Sequence, residues 1–121
     1  MTIQEVAAKL VEYCKKGDFE GAQKDLLTAD AAGIEPEGAN MTSVTGRDAI
    51  IEKGHQFQGM LEAVHGITVS EPVIAGEYFS IALLMDVTMK GMGRLNMDEL
   101  IVYHVKDGKI DSEQYFYNST M

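Results

Sequence analysis

Two stretches in the C-terminal half of the chain set acids and phenols at the spacing of a strand face. From Leu95 to Lys106, period-two alternation groups Met97, Glu99, Ile101, Tyr103 and Val105 on one side, and Asn96, Asp98, Leu100, Val102 and His104 on the other. In the last strand it groups Asp111, Glu113, Tyr115 and Tyr117 against Ser112, Gln114, Phe116 and Asn118. A carboxyl in apolar surroundings without a partner is kept neutral by an upward pKa shift. Two such carboxyls close together can share a proton, as general acid and base pairs do. That chemistry is open to Glu99 and Glu113. So is a buried structural network, in which Lys53, within the mainly apolar run Ile50 to Phe57, and the tyrosine hydroxyls satisfy both acids. Tyr103, Tyr115 and Tyr117 offer aromatic surface with hydroxyl handles, suited to a flat or ring-containing ligand or to core packing. Met85, Met89 and Met97 could line an adaptable pocket or fill a core.

Other chemistry is poorly represented. His55, His65 and His104 have no HxH or HExxH spacing, so no metal site is expected. His65, at the start of the first long strand, could reach a pocket mouth or serve a surface or structural role. Cys14 lies on an apolar helical stripe and reads as a small core residue. Gly91-Met92-Gly93 lacks the third glycine of a dinucleotide fingerprint and reads as a hairpin turn. No nucleophile elbow or phosphate loop occurs, and no cofactor is expected.

The elements that must hold these side chains follow from periodicity. Ile3, Val6, Ala7, Leu10, Val11 and Cys14 recur at helical spacing, which predicts an amphipathic helix over 2–16. Gly17 stops it, and Asp18 caps a second, shorter helix carrying Phe19, Ala22 and Leu26 inward. Residues 29–45 read as irregular, with a short strand from Gly33 to Glu37. Thr45 is expected to cap a third helix with Ile50, Gly54, Phe57 and Leu61 one turn apart. Four β-rich segments follow at 65–74, 77–90, 94–106 and 109–118, separated by turn signals at Ala75-Gly76, Gly91-Met92-Gly93 and Asp107-Gly108. Short links imply an antiparallel meander, and helices followed by hairpins imply a single α+β domain over residues 1–121. Both faces of the strand 95–106 are substantially apolar. One should meet the helices and the other a second subunit, so a homodimer is expected. Alternation alone does not decide which face is which.

Composition limits the partners. The 121 residues include 10 Lys and Arg against 19 Asp and Glu, a formal charge of −9, with pI near 4.6. Duplex binding needs clustered cations, and anionic membranes repel such a chain, so neither nucleic acid nor membrane is an expected partner. One cysteine cannot form an internal disulfide, and the first residues carry no basic or apolar leader, which points to the cytoplasm.

The order of helix, Gly17-Asp18 break, second helix, Ile34-Glu35-Pro36, Gly46-Arg47 opening a third helix, and a meander ending in Asp107-Gly108-Lys109-Ile110 resembles the SnoaL-like branch of the nuclear transport factor 2-like superfamily. Lys53, Ser70-Glu71-Pro72, Met97-Asp98-Glu99, Tyr103 and Glu113-Gln114-Tyr115-Phe116-Tyr117 bring it nearest to small SnoaL-like proteins of unassigned activity. The resemblance implies three N-terminal helices packed on a strongly curved, mainly antiparallel sheet that forms a cone with an internal pocket. It also implies dimers through the outer sheet face. Ketosteroid isomerases resemble this fold and use a carboxylate base with an oxyanion hole of a tyrosine and a protonated acid. Aligned on the Gly-Asp break, the oxyanion tyrosine falls at Leu10, the base at Pro36 between Glu35 and Glu37, and the acid at Ile101. Steroid isomerase chemistry is therefore not expected. The resemblance places Glu99, Ile101 and Tyr103 inside the cone, joined by Glu113, Tyr115 and Tyr117, with Lys53 also lining it.

The expectation is a cofactor-independent pocket for an apolar or aromatic small molecule. Its acid/base candidates are Glu99, Glu113 and Lys53. Its ligand contacts would be Tyr103, Tyr115, Tyr117, Ile101, Glu35, Met85 and His65. If catalytic, it would act as an isomerase, cyclase or hydratase. The competing expectation is a non-catalytic dimer whose cone is filled by its own side chains and whose outer face, through Leu100, Val102 and Phe116, is the working surface.

Overall fold

In the computed structural model, which describes residues 1–39 and 41–118, the first element is α1 (Ile3–Lys15). Thr2 starts it by accepting the Glu5 amide while the Glu5 carboxylate accepts the Thr2 amide, a reciprocal cap. It buries Val6, Ala7, Leu10, Val11 and Cys14, the stripe read from the sequence. Gly17, at φ 73°, turns the chain, and Asp18 caps α2 (Phe19–Leu26) by accepting the Gly21 amide.

No irregular stretch intervenes after α2. Strand β1 (Leu27–Ile34) begins at once, so the expected strand from Gly33 to Glu37 starts and ends too late along the chain. The Thr-Ala-Asp-Ala-Ala run has weak strand preference. Parallel pairing with the last strand and burial of Leu27 and Ala31 override it. The two-residue β2 (Val44–Thr45) pairs with β1 and takes up Thr45. The cap of α3 (Arg47–Met60) is therefore Gly46, at φ 106°, and not Thr45.

Leu61 ends α3 and begins β3 (Leu61–Val69), so it is a strand residue. The expected 65–74 segment is in fact divided. Ser70-Glu71-Pro72 breaks it where Pro72 can donate no ladder hydrogen bond, and β4 (Val73–Ala75) pairs separately. β5 (Tyr78–Met89), β6 (Gly93–Lys106) and β7 (Lys109–Phe116) follow as read. Asp107 and Gly108 both take positive φ in the final hairpin, as its Asp-Gly signal requires.

The sheet order is β2-β1-β7-β6-β5-β3, with β4 pairing to β5 off that path. All pairings are antiparallel except β1 with β7. The result is an α+β fold of cystatin-like type in which an unclosed, mainly antiparallel sheet, consistent with a cone, packs against three helices. α1 lies on β3 and β5, α3 on β1 and β2, and α2 joins the two helices. Among the described residues no helix is long and apolar enough to cross a membrane.

Breaks in register decide which side chains face inward. β5 and β6 pair without interruption from Tyr78 with His104 to Met89 with Gly93. Phe79, Ile81, Leu83, Met85, Val87 and Met89 are all buried on one face, with Ile101 and Tyr103 beside them. The Phe79 and Tyr103 rings stack at 4.7 Å. Between β6 and β7 the register shifts: Tyr103 faces Glu113 and His104 faces Ser112, but Val105 faces Ile110. Asp111 is the extra residue of this bulge and binds His104 on the outer face. Simple alternation grouped Asp111 with Glu113, Tyr115 and Tyr117, and the bulge separates it from them.

Candidate functional site

The inner face of the sheet and the three helices enclose a cavity of about 330 Å³. It is open space, so the cone is not filled by the protein's own side chains. Its wall is mostly apolar and takes in Glu35, Lys53, Met85, Glu99, Ile101, Tyr103, Glu113, Tyr115 and Tyr117. One strand face of β6 and one of β7 thus open on the same space. Lys53 reaches it from α3, whose Ile50, Lys53, Gly54 and Phe57 recur every three or four residues.

Among the described residues four carboxyls border the cavity: Glu20, paired with Lys24 and His55, and Glu35, Glu99 and Glu113, which do not share the same surroundings. Glu35, just past the end of β1, is bound to Lys53 Nζ at 2.5 Å and also accepts the Tyr117 hydroxyl. Both charged side chains are largely shielded, with Lys53 15% and Glu35 5% exposed. Glu113 is buried and accepts the Tyr115 hydroxyl. The Lys53 ammonium stands 5.5 Å from the centre of the Tyr115 ring, within range of its π face. Burial pushes the Glu113 carboxyl upward and the Glu35 charge adds to this, while the Tyr115 hydrogen bond and Lys53 oppose it.

Glu99 is different. Among the described residues no side chain hydrogen bonds or ion-pairs with its carboxyl. Burial first, then the neighbouring Glu35 and Glu113 charges, push it up to about 7, against a smaller pull from Lys53. A carboxyl of that strength is part acid and part base at neutral pH, the condition under which a proton carrier works best. The Tyr103 hydroxyl likewise makes no hydrogen bond to the described residues, whereas those of Tyr115 and Tyr117 are taken by Glu113 and Glu35.

The remaining sequence candidates divide. Ile101 and Met85 line the cavity as expected, and Glu35 does so as the buried partner of Lys53. His65 does not line it. β3 starts earlier than expected and shifts register between Val64 and Gly66, so His65 is exposed and bonded to the Thr88 hydroxyl. His104 is on the outer face between Asp111 and Glu77. Cys14 is buried in α1 and also borders the cavity, and burial pushes its thiol up to about 12, which leaves it inert at neutral pH. Among the described residues no set of His, Cys, Asp and Glu is arranged to hold a metal ion.

Sequence reasoning offered Met85, Met89 and Met97 as pocket lining or core and missed Met41, Met60 and Met92. Met41, Met60, Met85, Met89, Met92 and Met97 all border the cavity, six of the eight methionines in the chain. Met92 is 67% and Met60 43% exposed, which marks the end near the β5–β6 turn as the open one. The missed signal was the clustering of Met85, Met89, Met92 and Met97 around one hairpin. Phe57, which the sequence marks only as a turn-spaced residue of the third helix, lies one turn from Lys53 and lines the same space.

Comparison with known proteins places this architecture. A family model described as a SnoaL-like domain matches residues 1–117. The chain is similar to a Mesorhizobium loti protein named after the SnoaL-like polyketide cyclases, at 37% identity over 97% of this chain and 100% of that one, with a TM-score of 0.90. A nuclear transport factor 2-like protein of Burkholderia thailandensis shares the fold at 15% identity, 99% and 93% coverage and a TM-score of 0.85. A Xanthomonas campestris protein of unknown function with a cystatin-like fold does so at 15% identity, 99% and 94% coverage and a TM-score of 0.82. No curated protein matches the chain.

Proposed function

The chain belongs to the SnoaL-like domain family, and from that premise we propose that it is a cofactor-independent small-molecule pocket protein in which Glu99 moves a proton. The observation that carries this reading is the contrast of Glu99 with Glu35 and Glu113 in the cavity. Glu35 and Glu113 are occupied by Lys53, Tyr117 and Tyr115, while Glu99 faces open space without a partner among the described residues.

The reaction best suited to this arrangement is proton transfer beside a carbonyl, as in an isomerase, cyclase or hydratase. The Glu99 carboxylate removes a proton from carbon, and the C–H electron pair moves toward the carbonyl oxygen to give an enolate. Tyr103, whose hydroxyl is not taken by the described residues, donates a hydrogen bond to that oxygen, and Glu99 returns the proton at another carbon. The apolar wall keeps water from Glu99 and strengthens each of these interactions.

The test uses 5-nitrobenzisoxazole, a neutral aromatic whose N–O bond breaks to give a coloured phenolate when a base removes its one acidic C–H proton. The rate should rise with pH through about 7 and fall at least roughly 100-fold in Glu99→Gln. A variant that keeps the full rate removes Glu99 from this role.

The outer sheet face is assigned to a second copy of the chain. Leu84, Leu100 and Phe116 expose 41–45% of their surface there, and Leu100 is paired across the ladders with Ala82 and Phe116. A contiguous apolar row of this kind on a sheet needs a cover. Replacing Leu100 by Asp should convert a dimer to a monomer by light scattering, and an unchanged mass would exclude this face.

A further inference from the structure

Charge within the cavity is strongly one-sided. Lys53 is the one ammonium or guanidinium on its wall among the described residues, and Glu35 holds it. Glu99 and Glu113 stand on the same wall, and Glu20 borders it. An anionic ligand would meet carboxyls and find Lys53 already bound by Glu35, and His55, the other basic side chain on the wall, already bonded to Glu20. A cation would find Glu99 unpartnered among the described residues, with aromatic faces nearby.

Size narrows the ligand further. An apolar cavity of about 150 Å³ takes one benzene ring. The 330 Å³ here accommodates a body of about two fused rings, with polarizable methionine side chains to adapt to its outline.

We propose that this cavity selects its ligand by charge, accepting a compact two-ring apolar molecule that carries an amine and seating the ammonium against Glu99. The inference deepens the pocket reading above and rests on it. An ammonium beside Glu99 favours the ionised carboxylate, the form that acts as base, and so joins recognition to proton transfer. Carboxylated or phosphorylated ligands of the same outline are refused, because they place a second negative charge among Glu35, Glu99 and Glu113.

Three isosteric probes separate the possibilities: 2-naphthylmethylamine, 2-naphthalenemethanol and 2-naphthoic acid, measured by titration calorimetry at pH 8. The amine should bind at least tenfold more tightly than the alcohol, and the acid should not bind. In Glu99→Gln the amine should fall to the level of the alcohol. On the unaltered protein at pH 6, amine binding should release a proton, read from the dependence of the heat on buffer ionisation enthalpy, and alcohol binding should not. Equal binding of amine and alcohol, preferred binding of the acid, an amine preference that survives Glu99→Gln, or binding without proton release would each overturn charge selection. If all three probes bind alike, charge selection falls while the pocket reading stands. If none binds, both fall.

Discussion

On the inner face of β6, Glu99 is bonded to no cation among the described residues and burial pushes its carboxyl up to about 7. At the outer edge of the same β5–β6 hairpin, Asp86 is gripped by the guanidinium of Arg94 through two hydrogen bonds of 3.0 and 2.8 Å, and this holds it below the usual aspartate range. Asp25, bonded to Tyr13 and Lys9 at the surface, is lowered in the same way. The acids outside are solvated and paired, so their charge is secure and the pairing adds little. Inside, the cost of desolvation is met for Glu35 by Lys53 and left unmet for Glu99. One ionisable side chain type is therefore paired at one site and left without a bonded partner among the described residues at another.

That contrast can be broken most severely at the buried pair. Glu35→Ala leaves the Lys53 ammonium enclosed without its partner, and urea denaturation should show a loss of about 3–5 kcal/mol. Adding Lys53→Met should restore part of it, since two apolar groups replace an orphaned charge. If the single variant is as stable as the parent, the pair is not shielded as described.

Next in size is the effect of Glu99 on stability. In the unfolded chain its carboxyl ionises near 4.5, and in the fold near 7. The folded state holds its proton over that interval, so stability falls as pH rises from 4.5 to 7 and stays lower above. Glu99→Gln should therefore gain roughly 3 kcal/mol above pH 7 and nothing below pH 4.5. A gain independent of pH would contradict the assignment.

Glu35→Gln sharpens the comparison from another direction. The Glu35 charge raises Glu99, so the pH midpoint of the 5-nitrobenzisoxazole reaction should move downward in this variant. The smallest effects belong to the outer face. His104, held by Asp111 and Glu77, has its pKa raised. Its contribution to stability is present below the ordinary histidine value and is lost as pH rises through the raised folded value, a dependence that His104→Gln should remove from a thermal-melting series. Arg94→Ala should leave the denaturation midpoint nearly unchanged, because both partners are solvated.

Much of the fold was legible. α1 and α2 are written in helical spacing and in the Gly17-Asp18 break. β5 to β7 follow from alternation and the Asp107-Gly108 turn, because local backbone preference and burial agree there. β1 was misplaced because its pairing partner, β7, lies far along the chain, and a weak strand former gives no local sign of such a neighbour. Asp111 and His65 were misjudged because each falls where strand register breaks, and a single extra residue reverses the side on which a chain presents its side chains.

By itself the amino-acid sequence determined the candidate chemistry: Glu99, Glu113, Lys53 and the tyrosines on strand and helix faces, within a chain of 19 acidic against 10 basic side chains. Those readings depend on residue type and on periods of 2 and 3.6, which are local properties. Only the tertiary structure decided how the roles divide. Glu35 arrives from the end of β1 to occupy Lys53 and Tyr117, Tyr115 turns to Glu113, and Glu99 is left facing open space. Partnership between groups as much as 82 residues apart in the chain has no period to read. It exists only once the sheet has curved and the helices have closed over it.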